Sequence, residues 1–265
     1  MVASSLFHFT KSLDKLISII KSRSLWTSYC EENIEDLDDQ TRFVALPMVC
    51  FCDIPLTTYF SYDYDESEFE KHGRYGSYGI GLRKDKIVQK YQVNPLLYRN
   101  IDSLYAFNHR ESLRGIEKLS GLLVRENLSE KSPNFVLEFE LLKEELLIHL
   151  KEQSYFTKPF HSEHKIYYEA REWRYLTPAD KAPRQVLETD NAKEEVEKLN
   201  SRYHQRPDFD KVFFNLEDIT HIIVKSSDEV EDMIQNVNEI MDVNEDEKFK
   251  ALQKIIDVVT IKRDM

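Results

Sequence analysis

Apolar residues at Leu13, Leu16, Ile17 and Ile20 follow the i, i+3, i+4, i+7 spacing of an amphipathic helix, with Thr10 or Ser12 placed to cap it. The run Leu6-Phe7-His8-Phe9-Thr10 just before it reads as a short strand, so the chain opens strand, then helix. Residues 31–42 are polar and acidic and predict an exposed loop. Residues 43–54 turn apolar and rich in β-formers, interrupted by Pro47 and closed by Asp53 and Pro55, which predicts a strand with an irregular start. From 94 to 128 the spacing of Leu113, Ile116, Leu119 and Leu123 predicts a helix, and 135–141 reads as a strand or as the start of the helix that runs on to 150. Residues 165–176 alternate as a strand does. Residues 219–225 form another, followed by the capping box Ser226-Ser227-Asp228-Glu229 and a helix carrying Val230, Met233, Ile234 and Val237. A last helix is expected over 247–261, with a terminal strand at 258–261.

No internal repeat or low-complexity linker divides the chain, so these elements predict one α+β domain over residues 1–265, with a strand–helix portion at about 217–265. A hydrophobic fraction of 41% and an aromatic fraction of 12% fit a packed globule. The net charge of −12 makes the chain a poor general binder of nucleic-acid backbone. With no apolar run long enough for a bilayer and no signal-like N-terminal segment, the expected location is the cytoplasm, away from membrane. Cys30, Cys50 and Cys52 cannot all pair, and they read as free thiols in a reducing compartment.

Four of the six glycines crowd into nine residues, at Gly73, Gly76, Gly79 and Gly81, where backbone must approach something closely or take positive φ. No dinucleotide fingerprint or phosphate loop is present. Tyr75 and Tyr78 stand among these glycines as packed turn tyrosines or as a stacking surface for a flat ring. His8, flanked by apolar neighbours, is a core histidine or a ligand contact. Strand alternation puts Tyr168, Ala170, Glu172 and Arg174 on one face. Glu172 is then either the ion-pair partner of Arg174 or a functional acid, because a carboxylate among apolar groups must be paired or employed. Cys50-x-Cys52 and His161-Ser-Glu-His164 lack the remaining ligands of a familiar metal set, so no metal is expected. No Gly-x-Ser-x-Gly elbow points to a serine hydrolase.

His8-Phe9-Thr10 with its helix, Pro47-Met48-Val49-Cys50-Phe51-Cys52-Asp53-Ile54-Pro55-Leu56, residues 75–82, Asn94-Pro95 and Tyr168-Glu169-Ala170-Arg171-Glu172-Trp173-Arg174-Tyr175 resemble the AbiGi family of bacterial abortive-infection proteins. The ordered His8, Tyr75 or Tyr78, and Glu172 are more distantly similar to the ADP-ribosyltransferase superfamily, including DarT-like toxins. That likeness implies split antiparallel sheets with flanking helices and a cleft for NAD as substrate. Glu172 would stabilise an oxocarbenium-like transition state. His8, with Phe9 and Thr10, would hold the adenosine-side ribose, and Tyr78 or Tyr75 would stack on nicotinamide. Arg174 would pair Glu172 or contact the pyrophosphate, and Asp53 would stand at the rim. The acceptor would be a protein or nucleic acid, with a partner keeping the enzyme silent. The AbiGi resemblance also implies a different class, a non-catalytic antitoxin-like or sensing component that binds another defence protein.

Overall fold

The computed structural model describes residues 4–38, 41–61, 76–125, 133–160, 167–188 and 191–263. The chain begins with β1 (Ser5–Thr10) and α1 (Leu13–Ser22) as the pattern predicts, and the Ser12 hydroxyl accepts from the Lys15 amide as the N-cap. There follow β2 (Ser24–Trp26), β3 (Ser28–Asn33), β4 (Phe43–Cys52), α2 (Leu56–Ser61), β5 (Tyr78–Arg83) and α3 (Lys84–Tyr91). The middle holds β6 (Asn94–Pro95), β7 (Leu97–Arg99), α4 (Leu104–Arg125), α5 (Pro133–Tyr155) and β8 (Thr157–Pro159). A 3-10 turn (Tyr167–Ala170), β9 (Glu172–Leu176), β10 (Gln185–Leu187), α6 (Ala192–His204) and β11 (Lys211–Phe213) come next. The chain closes with β12 (Ile219–Val224), α7 (Ser227–Asn238), α8 (Glu245–Leu252), β13 (Ile255–Asp257) and α9 (Val258–Arg263).

The fold is α+β. Among the described residues, nine strands join one open sheet in the order β13-β12-β5-β1-β4-β9-β6, with β3 and β10 also on β4. Its pairings are antiparallel apart from β12 with β13. Two small sheets, β2 with β11 and β7 with β8, lie beside it. Pro47 is tolerated inside β4 because that strand changes neighbours there. β10 pairs only as far as Ala45 and β9 takes over from Met48, so the missing N–H falls in the gap.

Alternation sends Leu6, His8, Val49, Phe51, Ile80 and Leu82 to one face, where α1, α3, α7 and α8 cover them through Leu16, Ile20, Ile87, Met233, Val237 and Ala251. Phe7, Phe9 and Ile223 point to the other face, against Tyr59 of α2 and Val258 of α9. Farther along that second face, Met48, Cys50 and Leu176 meet Tyr155 at the end of α5.

Several expectations are corrected. Of the exposed loop expected over 31–42, residues 31–33 instead belong to β3, and Ile34 and Leu37 beyond it are buried. The helix expected from residue 94 begins at Leu104, after two short strands, and 135–141 is helical within α5. Residues 167–170 are a 3-10 turn, not strand, because Arg171 adopts a left-handed backbone (φ 41°) and resets the direction before β9. At the C-terminus the strand lies at Ile255–Asp257, and 258–263 is helix. The capping box stands as expected: Glu229 accepts from the Lys225 and Ser226 amides.

Candidate functional site

β9 enters the sheet at Glu172, opposite Cys52, and places Arg174 opposite Cys50. Both side chains project from the second face toward β3 and β8. The Arg174 side chain is fully buried and donates from all three nitrogens: Nε to Glu172 Oε1 (2.7 Å), Nη2 to Glu32 Oε1 (2.6 Å) and Nη1 to the Tyr155 carbonyl (2.8 Å). Lys158 on β8 adds a second cation, 3.1 Å from Glu172 Oε2 and 3.5 Å from Glu32 Oε1. The four charges cancel, which is what allows them to stand so far from water. The backbone amide of Glu172 donates to the Tyr98 hydroxyl at 2.6 Å.

Burial alone would raise the Glu172 carboxyl; Arg174 and Lys158 outweigh it and hold its pKa at about 2. Burial likewise disfavours the charged forms of Lys158 and Arg174, yet Glu32 and Glu172 keep both protonated well above their ordinary ranges. Burial pushes the Tyr98 phenol up to about 12. Beside the quartet, the Cys30 thiol donates to the Ser28 carbonyl (3.6 Å); its proximity to Cys50 lowers its own pKa and, with burial, raises that of Cys50. None of the three cysteines is in a disulfide.

A cavity of about 740 Å³ opens from the quartet, lined by Lys158, Tyr167, Arg110 and the acidic Glu31, Glu32, Glu35 and Asp36. Its wall is thus built by β3, the turn after it, β8 and the 3-10 turn. Of its carboxylates, Glu32 is held by Arg174 and Lys158, Glu35 pairs with Arg42 and Asp36 with Arg99, while the Lys158 ammonium lies 5.3 Å from the centre of the Tyr167 ring.

The structure does not gather the other expected residues here. His8 lies on the opposite face of the sheet, its Nδ1 donating to the Cys50 carbonyl (2.9 Å) and its ring set edge-on to Phe51. Burial lowers its pKa below the ordinary 6.5. Thr10 ends β1 on that same face, paired with Tyr78. The Tyr78 hydroxyl donates to Glu229 Oε1 (2.6 Å), so this ring ties β5 to the capping box of α7. Phe9 is on the second face but stacks on Tyr59, with centroids 4.9 Å apart. Asp53 pairs with Lys84, whose ammonium sits 4.1 Å over the Trp173 ring. Tyr75 lies outside the described residues, as do Gly73, His161 and His164.

The glycines of β5 have a local explanation. A Cβ on Gly79 would stand 2.8 Å from Phe9 Cδ1, and one on Gly81 would stand 2.7 Å from Thr220 Oγ1 and 2.8 Å from Phe7 Cε1. What the backbone approaches is the chain's own aromatic layer. Sequence reasoning missed Glu32, Tyr98 and Lys158. The alternation of Tyr29 with its neighbours was the one signal for β3, and nothing local marks Lys158, since its partners lie 14 and 126 residues away.

Among the described residues, no group of three or more His, Cys, Asp or Glu is placed to hold a metal ion, and no helix is long and apolar enough to cross a membrane. No curated protein and no solved structure matches the chain. A family model described as abortive phage resistance protein AbiGi, antitoxin, matches residues 23–225, a span that contains β3, β8, β9 and with them the whole charge quartet. The chain belongs to the AbiGi family of abortive phage resistance proteins.

Proposed function

We propose that this protein is the non-catalytic, partner-binding antitoxin component of an abortive phage-defence pair, acting in the cytoplasm. The observation that carries this reading is the state of Glu172. A transferase cleaving the nicotinamide–ribose bond needs a carboxylate free to meet developing positive charge. Here each Glu172 oxygen already accepts from a cation of the protein, within a neutral quartet. His8, meanwhile, faces the far side of the sheet and spends its Nδ1 on the Cys50 carbonyl.

A binding role uses what stands next to the quartet. The acid-lined cavity, on a chain of net charge −12, suits a basic segment of a partner protein. Arg174 and Lys158 would hold β3, β8 and β9 in one rigid wall behind it. The expression test compares the native chain with Glu172→Gln while cellular NAD and ADP-ribose conjugates are followed. The expected result is normal growth and unchanged NAD for both, with growth rescued when the chain is co-expressed with the toxic product of its own locus. NAD loss or conjugate formation that disappears in the variant overturns this reading in favour of an NAD-dependent ADP-ribosyltransferase.

A further inference from the structure

Independently of that reading, we infer that the α4–α5 hairpin is the interface of a twofold homodimer, two hairpins closing into a four-helix bundle. α4 and α5 have 22 and 23 residues, so each is about 33 Å long, and they pack on one another. α5 is apolar on more than the seam it shares with α4. Leu137, Leu141 and Ile148 form one stripe and Phe135, Leu142 and Leu146 another, each residue 44–62% exposed. A helix apolar on several sides belongs in the middle of a bundle. With Leu104 and Phe107 of α4, these side chains offer on the order of 1,000 Å² of apolar surface, against the ~800 Å² per partner of a standard stable interface.

The charges name the occupant as a second copy. α4 carries half-exposed Arg114, ion-paired with Glu111 of its own helix, and exposed Lys118 one turn on, whereas α5 carries exposed Glu138 and Glu145, the latter 3.7 Å from His149, two turns apart beside the Leu137 stripe. An isologous pairing lays α4 of each copy along α5 of the other, so basic meets acidic twice.

The test is sedimentation and light scattering of the full chain at tens of micromolar. A species of twice the 31.5 kDa chain mass is expected. Leu141→Glu with Ile148→Glu should return the monomer, and circular dichroism should be unchanged because both positions are exposed. Two charge variants fix the geometry: Arg114→Glu with Lys118→Glu, and Glu138→Lys with Glu145→Lys. Each alone should weaken self-association roughly tenfold or more, and mixing the two should restore a dimer. A native chain that stays monomeric, or a dimer indifferent to the α5 variants, overturns the proposal. So does a monomer that instead binds vesicles or another protein through this face. A mixture that fails to recover rules out the crossed α4–α5 pairing.

Discussion

Arg174 has no exposed atom and answers two carboxylates and a carbonyl at once. Replacing it by Met leaves Glu172 and Glu32 sharing one ammonium in a water-poor place, and urea titration should show a loss of about 3–5 kcal/mol. Gly81→Ala forces Thr220 and the Phe7 ring apart and should cost about 1–3 kcal/mol by the same measurement. His8 gives a pH signature. Its folded pKa lies below the unfolded value, so under about pH 6.5 the unfolded chain takes up a proton that the folded chain refuses, and stability falls as pH drops from 7 toward 5. His8→Asn keeps a donor for the Cys50 carbonyl without the titration, and should reduce that slope, leaving the share of His109 and His221, which burial also lowers. Glu172 acts in a different window: its contribution is complete above its unfolded pKa and is lost as pH falls through about 2, leaving the histidine slope unobscured. The pairing of Glu172 with Arg174 was legible in the sequence, because strand period alone puts both on one face. The second carboxylate and second cation were not, since three strands remote in sequence must meet before Glu32 and Lys158 become neighbours of β9.

The elements that could be read correctly are those specified by adjacent residues. β1 with α1, β4, β12 and the capped start of α7 each carry their pattern within about a dozen positions. β3 was hidden by its acidic residues: half-buried Glu32 finds its partner in Arg174, 142 residues away. The strand expected over 165–176 was overextended because Arg171 is a non-glycine residue in the left-handed region, which no periodicity reveals. The partner of the Tyr78 hydroxyl, 151 residues on, could not be foreseen from the glycine-rich run around it. Glu229 serves that hydroxyl and two amides at the head of α7, so Glu229→Ala should lower stability by about 2 kcal/mol in thermal melts. Tyr78→Phe should lose about 1 kcal/mol while keeping its packing, which separates a tethering role from a stacking one.

For the molecule entire, the span of the family match and the extent of the fold differ. Residues 23–225 omit β1 and β13, yet β1 lies between β5 and β4 near the middle of the sheet. A fragment limited to 23–225 should therefore stay unfolded, without the cooperative denaturation of the full chain; a cooperative transition would show that β5 and β4 close on each other without it. The same strand order bears on how the protein is born. β1 leaves the ribosome before β5 and must wait for Tyr78–Arg83 to form its ladder, and β5 must then wait for Ile219–Val224 to cover its other edge. A nascent chain of half length carries the apolar Leu6–Phe9 and Ile80–Leu82 segments with an open hydrogen-bonding rim beside them. Stalled or truncated synthesis thus yields an aggregation-prone product rather than a smaller working protein, and refolding from urea should be slow, governed by closure of the long loop between Thr10 and Tyr78 and the longer one between β5 and β12.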